Sequence, residues 1–149
     1  MSDNIYRYVA TEPAFQPSAA AAKAAETFLR AALGRAESVK ARFSEHIEFV
    51  DAGENWEGVR CPNCGQDVEA WWQQVMGPAH ESNYELLNFQ TACCGSVVSL
   101  NELDYVWPVA FASFVVEVFN PDSLGLGADE MSRLGALLGC SMREIRAHI

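Results

Sequence analysis

The chain has 149 residues, half of them apolar, and sets 20 acidic against 10 basic side chains for a net charge of -10. That length and composition can build one hydrophobic core without help from disulfides. The cations are scattered from Arg7 to Arg146, so no basic stripe exists to neutralise the phosphates of nucleic acid or an anionic membrane, and a basic protein is the partner that the charge permits.

The stretch MSDNIYRYVATEP lacks the basic start and apolar run of a secretory leader. Its weak alternation predicts a short strand from Ile5 to Ala10. Ser18 is placed to cap an alanine-rich helix that runs to about Leu33 and closes at Gly34. Ala21, Ala24, Ala25, Phe28 and Ala32 recur at helical spacing and predict a small-residue face against a sheet. SVKARF and HIEFV read as strand, straight or bent, followed by the turn DAGEN. Next comes a helix starting at Gln66 or Asp67, with Val68, Trp71, Trp72, Val75 and Met76 as one stripe and Gly77 and Pro78 as its end. YELLNFQTA reads as a strand leading into Cys93 and Cys94, and SVVSLNEL leaves that pair as strand or turn.

The longest uncharged apolar run, Val106 to Val116, is broken by Pro108 and too short to span a bilayer. With no leader and no span, a cytoplasmic location is expected. FASFVVEVFN is the strongest strand signal of the chain, ended by Asn120 and Pro121. From Ala128 a helix places Met131, Leu134, Leu137 and Leu138 on one face and stops at Gly139. Ser141 and Glu144 then match a capping box and predict a last short helix carrying Met142 and Ile145 inward. The predicted fold is one α+β domain, residues 1–149, with a mainly antiparallel sheet and flanking helices. Residues 58–100 are read as an inserted zinc-ribbon-like lobe.

In a cytoplasmic chain the five cysteines stay reduced, which favours metal binding or redox chemistry over disulfides. CPNCG brings Cys61 and Cys64 to one ion through a tight turn whose glycine can take a positive φ. One such knuckle supplies two of four tetrahedral ligands, and TACCGSVV supplies the others. If the two Cys-Gly pairs correspond, Cys64 matches Cys94, and the remaining ligand is Cys93 where a regular ribbon would use position 91, here Thr91. Adjacent cysteines converge only where the backbone turns sharply, because successive strand side chains point to opposite faces. The predicted ligands are therefore Cys61, Cys64, Cys93 and Cys94 around a structural Zn2+. His80, and after it His46 or Asp51, is the substitute if one of the adjacent pair does not bind. Cys140, on an apolar helix end, reads as a small buried hydrophobe.

Other chemistries fit the residues less well. C-P-x-C also occurs in thioredoxin-like redox proteins, but Gly65 would weaken the helix that acidifies the first thiol, and the second cysteine pair would have no role. The deaminase pattern joins H-x-E to P-C-x-x-C; His46 and Glu48 supply the first part, but no proline precedes Cys61. Four thiolates also close a zinc site that catalysis needs open. Asp51, Glu54 and Glu57 read as solvated loop acids and His148 as a solvated terminal residue. Trp71 and Trp72 read as packing, and Trp56 as the exposed aromatic contact.

CPNCG, the distant CCG, SLNELDYVWPVAF and the closing LLG and REIRAHI together resemble a small family of uncharacterised bacterial proteins with a split cysteine signature. The resemblance covers about Tyr6 to Ile149 and implies a zinc-ribbon-like element with no assigned activity. The functional expectation is a non-enzymatic, zinc-stabilised protein-interaction module. An acidic immunity-type or antitoxin-like inhibitor of a basic partner, and a zinc-dependent hydrolase or thiol-redox enzyme, are the alternatives.

Overall fold

The structure is a computed structural model and describes residues 2–149. It has the α+β architecture expected. Four strands, β1 (Asn4–Ala10), β2 (Ser38–Val50), β7 (Ala110–Phe119) and β8 (Met142–His148), form one antiparallel sheet in the order β2-β7-β1-β8. Helices α1 (Ala19–Leu33) and α3 (Ala128–Leu138) cover one face of it. Between β2 and β7 the chain runs through β3 (Val59–Arg60), α2 (Glu69–Glu81), β4 (Asn88–Gln90), β5 (Val97–Ser99), a single 3-10 turn (Leu100–Glu102) and β6 (Asp104–Tyr105). Because β2 and β7 are neighbours in the sheet, everything from Asp51 to Val109 is an excursion from one paired strand to the next.

Local chemistry explains most boundaries. The Ser18 hydroxyl accepts a hydrogen bond from the Ala21 N–H at 3.1 Å and starts α1. Its core stripe is Ala22, Ala25, Leu29 and Leu33, one position round from the predicted face, so Ala24 faces solvent. These residues pack on Tyr8, Phe114, Val116 and Val118, with Leu134 and Leu138 of α3 beside them. Val9, Val115 and Ile145 point to the opposite face and cluster with Val50, Ala110 and Ala112. Both faces of β7 are thus covered, which is why its apolar run is almost unbroken. The two halves of β2 are one strand, irregular between Phe43 and Glu48.

Three predicted elements differ. The closing segment is a strand: Asn4 to Ala10 pair with His148 to Met142, and Ile145 and Ala147 are buried between polar neighbours at a period of two. Glu144 caps no helix there; its carboxylate accepts from the Tyr8 hydroxyl at 2.8 Å and the Leu126 N–H at 3.0 Å. Helix α2 continues through Gly77 and Pro78 because the N–H groups of Ser82 and Tyr84 close its last turn on the Pro78 and Ala79 carbonyls, with Ala79 fully buried. The strand predicted over YELLNFQTA is only Asn88–Gln90, since Asn83 and Tyr84 both adopt left-handed backbone and Tyr84 turns aside onto Phe111.

The excursion has its own apolar cluster, including Val59, Val68, Ala79, Leu100, Leu103 and Tyr105. Asn101, 3 % exposed, fastens it to the sheet. Its side chain donates to the Thr11 carbonyl at 2.9 Å and accepts from the Phe111 N–H at 2.9 Å, while Arg143 donates to its backbone carbonyl at 3.0 Å. One residue therefore ties the ends of β1, β7 and β8 to the chain that leaves β5.

Candidate metal centre

The two cysteine loops have the same backbone. In the first, the Cys61 N–H bonds the Gln66 carbonyl and the Gly65 N–H bonds the Cys61 carbonyl, both at 2.9 Å. In the second, Thr91 N–H bonds Ser96 at 2.9 Å and Gly95 N–H bonds Thr91 at 3.2 Å. Gly65 and Gly95 carry φ values of +78° and +71°, a conformation that side-chain-bearing residues rarely adopt. Thr91 therefore stands where Cys61 does, Cys94 where Cys64 does, and Cys93 at the place of Asn63. Cys61 and Thr91 are both buried at the base of their turns.

The loops face each other and bring the sulfurs of Cys61, Cys64, Cys93 and Cys94 within 4.8 Å of one another. Cys61 Sγ lies 3.8 Å from Cys94 Sγ, and Cys64 Sγ 3.3 Å from Cys93 Sγ. All four cysteines are free thiols. A tetrahedron of sulfurs bonded to one ion at ~2.3 Å has edges of about 3.8 Å, so the set is suited to a metal ion and is too open for disulfides. The adjacent cysteines converge because they sit in a turn, Ala92 to Cys94, where strand alternation does not apply.

Hydrogen bonds onto the sulfurs prepare them to bind as thiolates. Cys94 is drawn down to about 5 by the Asn63 amide first, then by the Ser96 and Thr91 hydroxyls and the Ser96 N–H. The side-chain contacts are 3.4, 3.1 and 3.5 Å. Cys61 is lowered chiefly by the backbone N–H of Cys64. The Gln66 N–H pulls Cys64 the same way, but its S–H donates to the Cys93 sulfur, and this bond, burial and hydrogen bonds with the other two sulfurs outweigh it and push this thiol up to about 12. Four thiols so close cannot all ionise without a cation among them. Asn63, Thr91 and Ser96 were not recognised as donors from the sequence; the signal was an amide and hydroxyls at the two turns.

The substitute ligands lie elsewhere. The His80 ring packs edge-on against Tyr84, His46 is exposed on β2, and Asp51 accepts from the Gly53 N–H and the Arg7 guanidinium. Trp56 is not the exposed contact expected: it stacks on Trp72 at 4.8 Å and donates to Glu69 at 3.2 Å. Trp72 donates to the Tyr105 hydroxyl, and Trp71 to the Gln90 carbonyl at 2.9 Å, which holds α2 against the strand entering the second loop. Asp51, Glu54 and Glu57 are exposed, as expected of loop acids. Cys140 is only half-buried, near the Thr11 hydroxyl. His148 is no free terminal residue, because its strand pairs with β1 and its ring meets the Asn4 side chain at 2.8 Å.

Comparison with protein-family models, curated proteins and solved structures found no match to this chain. Among the described residues no helix is long and apolar enough to cross a membrane.

Proposed function

We propose that the four cysteines hold one zinc ion as a structural centre, and that the protein is a non-enzymatic interaction module whose lobe the ion stabilises. The convergence of four sulfurs from two separate loops carries this reading. Four tetrahedral sulfurs suit zinc or iron, and zinc is the ion that four thiolates close without redox chemistry. When bound, zinc supplies four strong bonds and no open position for water, which argues against the hydrolase alternative. A net charge of -10 favours a basic partner in a cytoplasmic setting. Val97, 72 % exposed beside the second loop, offers an apolar contact at the same end.

The test is metal analysis of protein purified without added metal. One zinc per chain is expected, and Cys61→Ser and Cys64→Ser should lose the metal and melt at lower temperature together, because metal binding and folding are linked at such a site. A visible iron–thiolate absorption would reassign the ion. Full stability in the metal-free chain would remove the structural role. Failure to retain any basic protein in pull-downs at low salt would remove the partner.

A further inference from the structure

The four sulfurs are not equivalent. In the first loop the backbone N–H groups of Asn63 and Cys64 point at the Cys61 sulfur, and Cys64 receives the Gln66 N–H. In the second loop the place that matches Cys61 is held by Thr91, whose side chain carries no sulfur. Cys94 keeps the remaining donors, with Asn63, Thr91 and Ser96 all on its sulfur. Cys93 enters the centre from the middle of the turn, at the place that Asn63 holds in the first loop. Its sulfur meets that of Cys64 at 3.3 Å, and among the described residues no amide or hydroxyl side chain bonds it.

Hydrogen bonds withdraw electron density from a thiolate and weaken it as a nucleophile. Cys94, with three side-chain partners, is thus the most strongly damped sulfur, and Cys93 has none of these partners. Cys93 is also the one cysteine that lines a groove of about 300 Å³ between α2 and the second loop, walled by Val68, Trp71 and Ala92 with Asp67 at the rim. We propose that Cys93 is a nucleophilic thiolate of the metal-bound centre, open through this groove to small, uncharged soft carbon electrophiles. The inference rests on the zinc reading above and adds a stoichiometric modification site to it.

The step balances without a further reactant. A lone pair of the Cys93 sulfur attacks the carbon that bears the leaving group, the S–C bond forms as the carbon–halogen bond breaks, and the halide departs with the bonding pair. The thiolate becomes a neutral thioether and the centre loses one unit of negative charge. No proton is exchanged, because the metal-bound sulfur is already deprotonated. With Asp67 in the lining and no cation there, the groove favours iodoacetamide over the anion iodoacetate.

The experiment treats zinc-loaded Cys140→Ser protein with sub-stoichiometric iodoacetamide and maps the label by peptide mass spectrometry. Cys93 should be modified at least about tenfold faster than Cys64 or Cys94, and faster by iodoacetamide than by iodoacetate. Exposure alone predicts the reverse order, since Cys64 and Cys94 are exposed and Cys93 only half so. In T91C/C93S the fourth sulfur moves to the place that matches Cys61 and away from the groove, so the metal should stay and labelling should slow at least about tenfold. Labelling first at Cys64 or Cys94, or an unslowed double variant, overturns the proposal. Loss of metal by that variant overturns the loop equivalence beneath it. Absence of metal in the parent protein defeats the zinc reading itself and is measured before any label is added.

Discussion

Asn101 and Tyr8 show how single side chains set the strength of this molecule. Truncating Asn101 to alanine leaves the buried Phe111 N–H without its acceptor and the Thr11 carbonyl without its donor. Unmet buried groups cost about 1–3 kcal/mol each, so Asn101→Ala should lower the urea-unfolding free energy by roughly 2–4 kcal/mol. Tyr8 is fully buried, and burial followed by the adjacent Glu144 carboxylate raises its phenol far above the ordinary value. The unfolded chain then gives up this proton near its ordinary pKa of about 10 while the folded chain keeps it. The contribution is intact below that pH, and above it stability falls by about 1.4 kcal/mol per pH unit for this residue. Burial raises Tyr105 too. Denaturant titrations between about pH 10 and 11 should show a shallower decline in Tyr8→Phe than in the parent, and parallel curves would contradict the assignment.

At the scale of elements, β8 is the instructive case. Ile145 is fully buried against the sheet, so Ile145→Ala should cost about 2–4 kcal/mol, measured by urea denaturation. In sequence, Met142 and Ile145 stand three apart behind Ser141, a pattern that a short helix satisfies equally well. What decides for strand is pairing with Asn4 to Ala10, and no local window contains that partner. Helices α1 and α3 and strand β7 were legible because their periodicity or apolar run is long and their caps are chemical. The end of α2 was not, since Pro78 reads as a stop until the burial of Ala79 is known. The same division holds at the cysteines. Spacing and the two glycines revealed which residues gather, whereas the amide and hydroxyl groups around Cys94 become meaningful only once the second loop lies against the first. Trp56 misled for a related reason: its stacking partner Trp72 sits across a helix start, beyond any short pattern.

For the molecule as a whole, three apolar clusters divide the work. The helix-covered face is held by Tyr8, Leu29, Val116 and Leu134, a second cluster includes Val9, Val115 and Ile145, and the cysteine loops belong to the third. Chelation should therefore strip amide-exchange protection from residues 59–105 well before β1, β7 and β8 lose theirs, and simultaneous loss along the whole chain would show that the clusters unfold as one. The strand order also sets a timetable. Tyr8 lies between Val116 and Glu144, so β1 leaves the ribosome before both its neighbours and waits for them while its apolar side chains stay uncovered. Contacts this distant form slowly. The cysteine loops emerge during that delay and are close in sequence, so ion capture can precede closure of the sheet. A nascent chain starved of metal would meet chaperones with two unfinished surfaces instead of one.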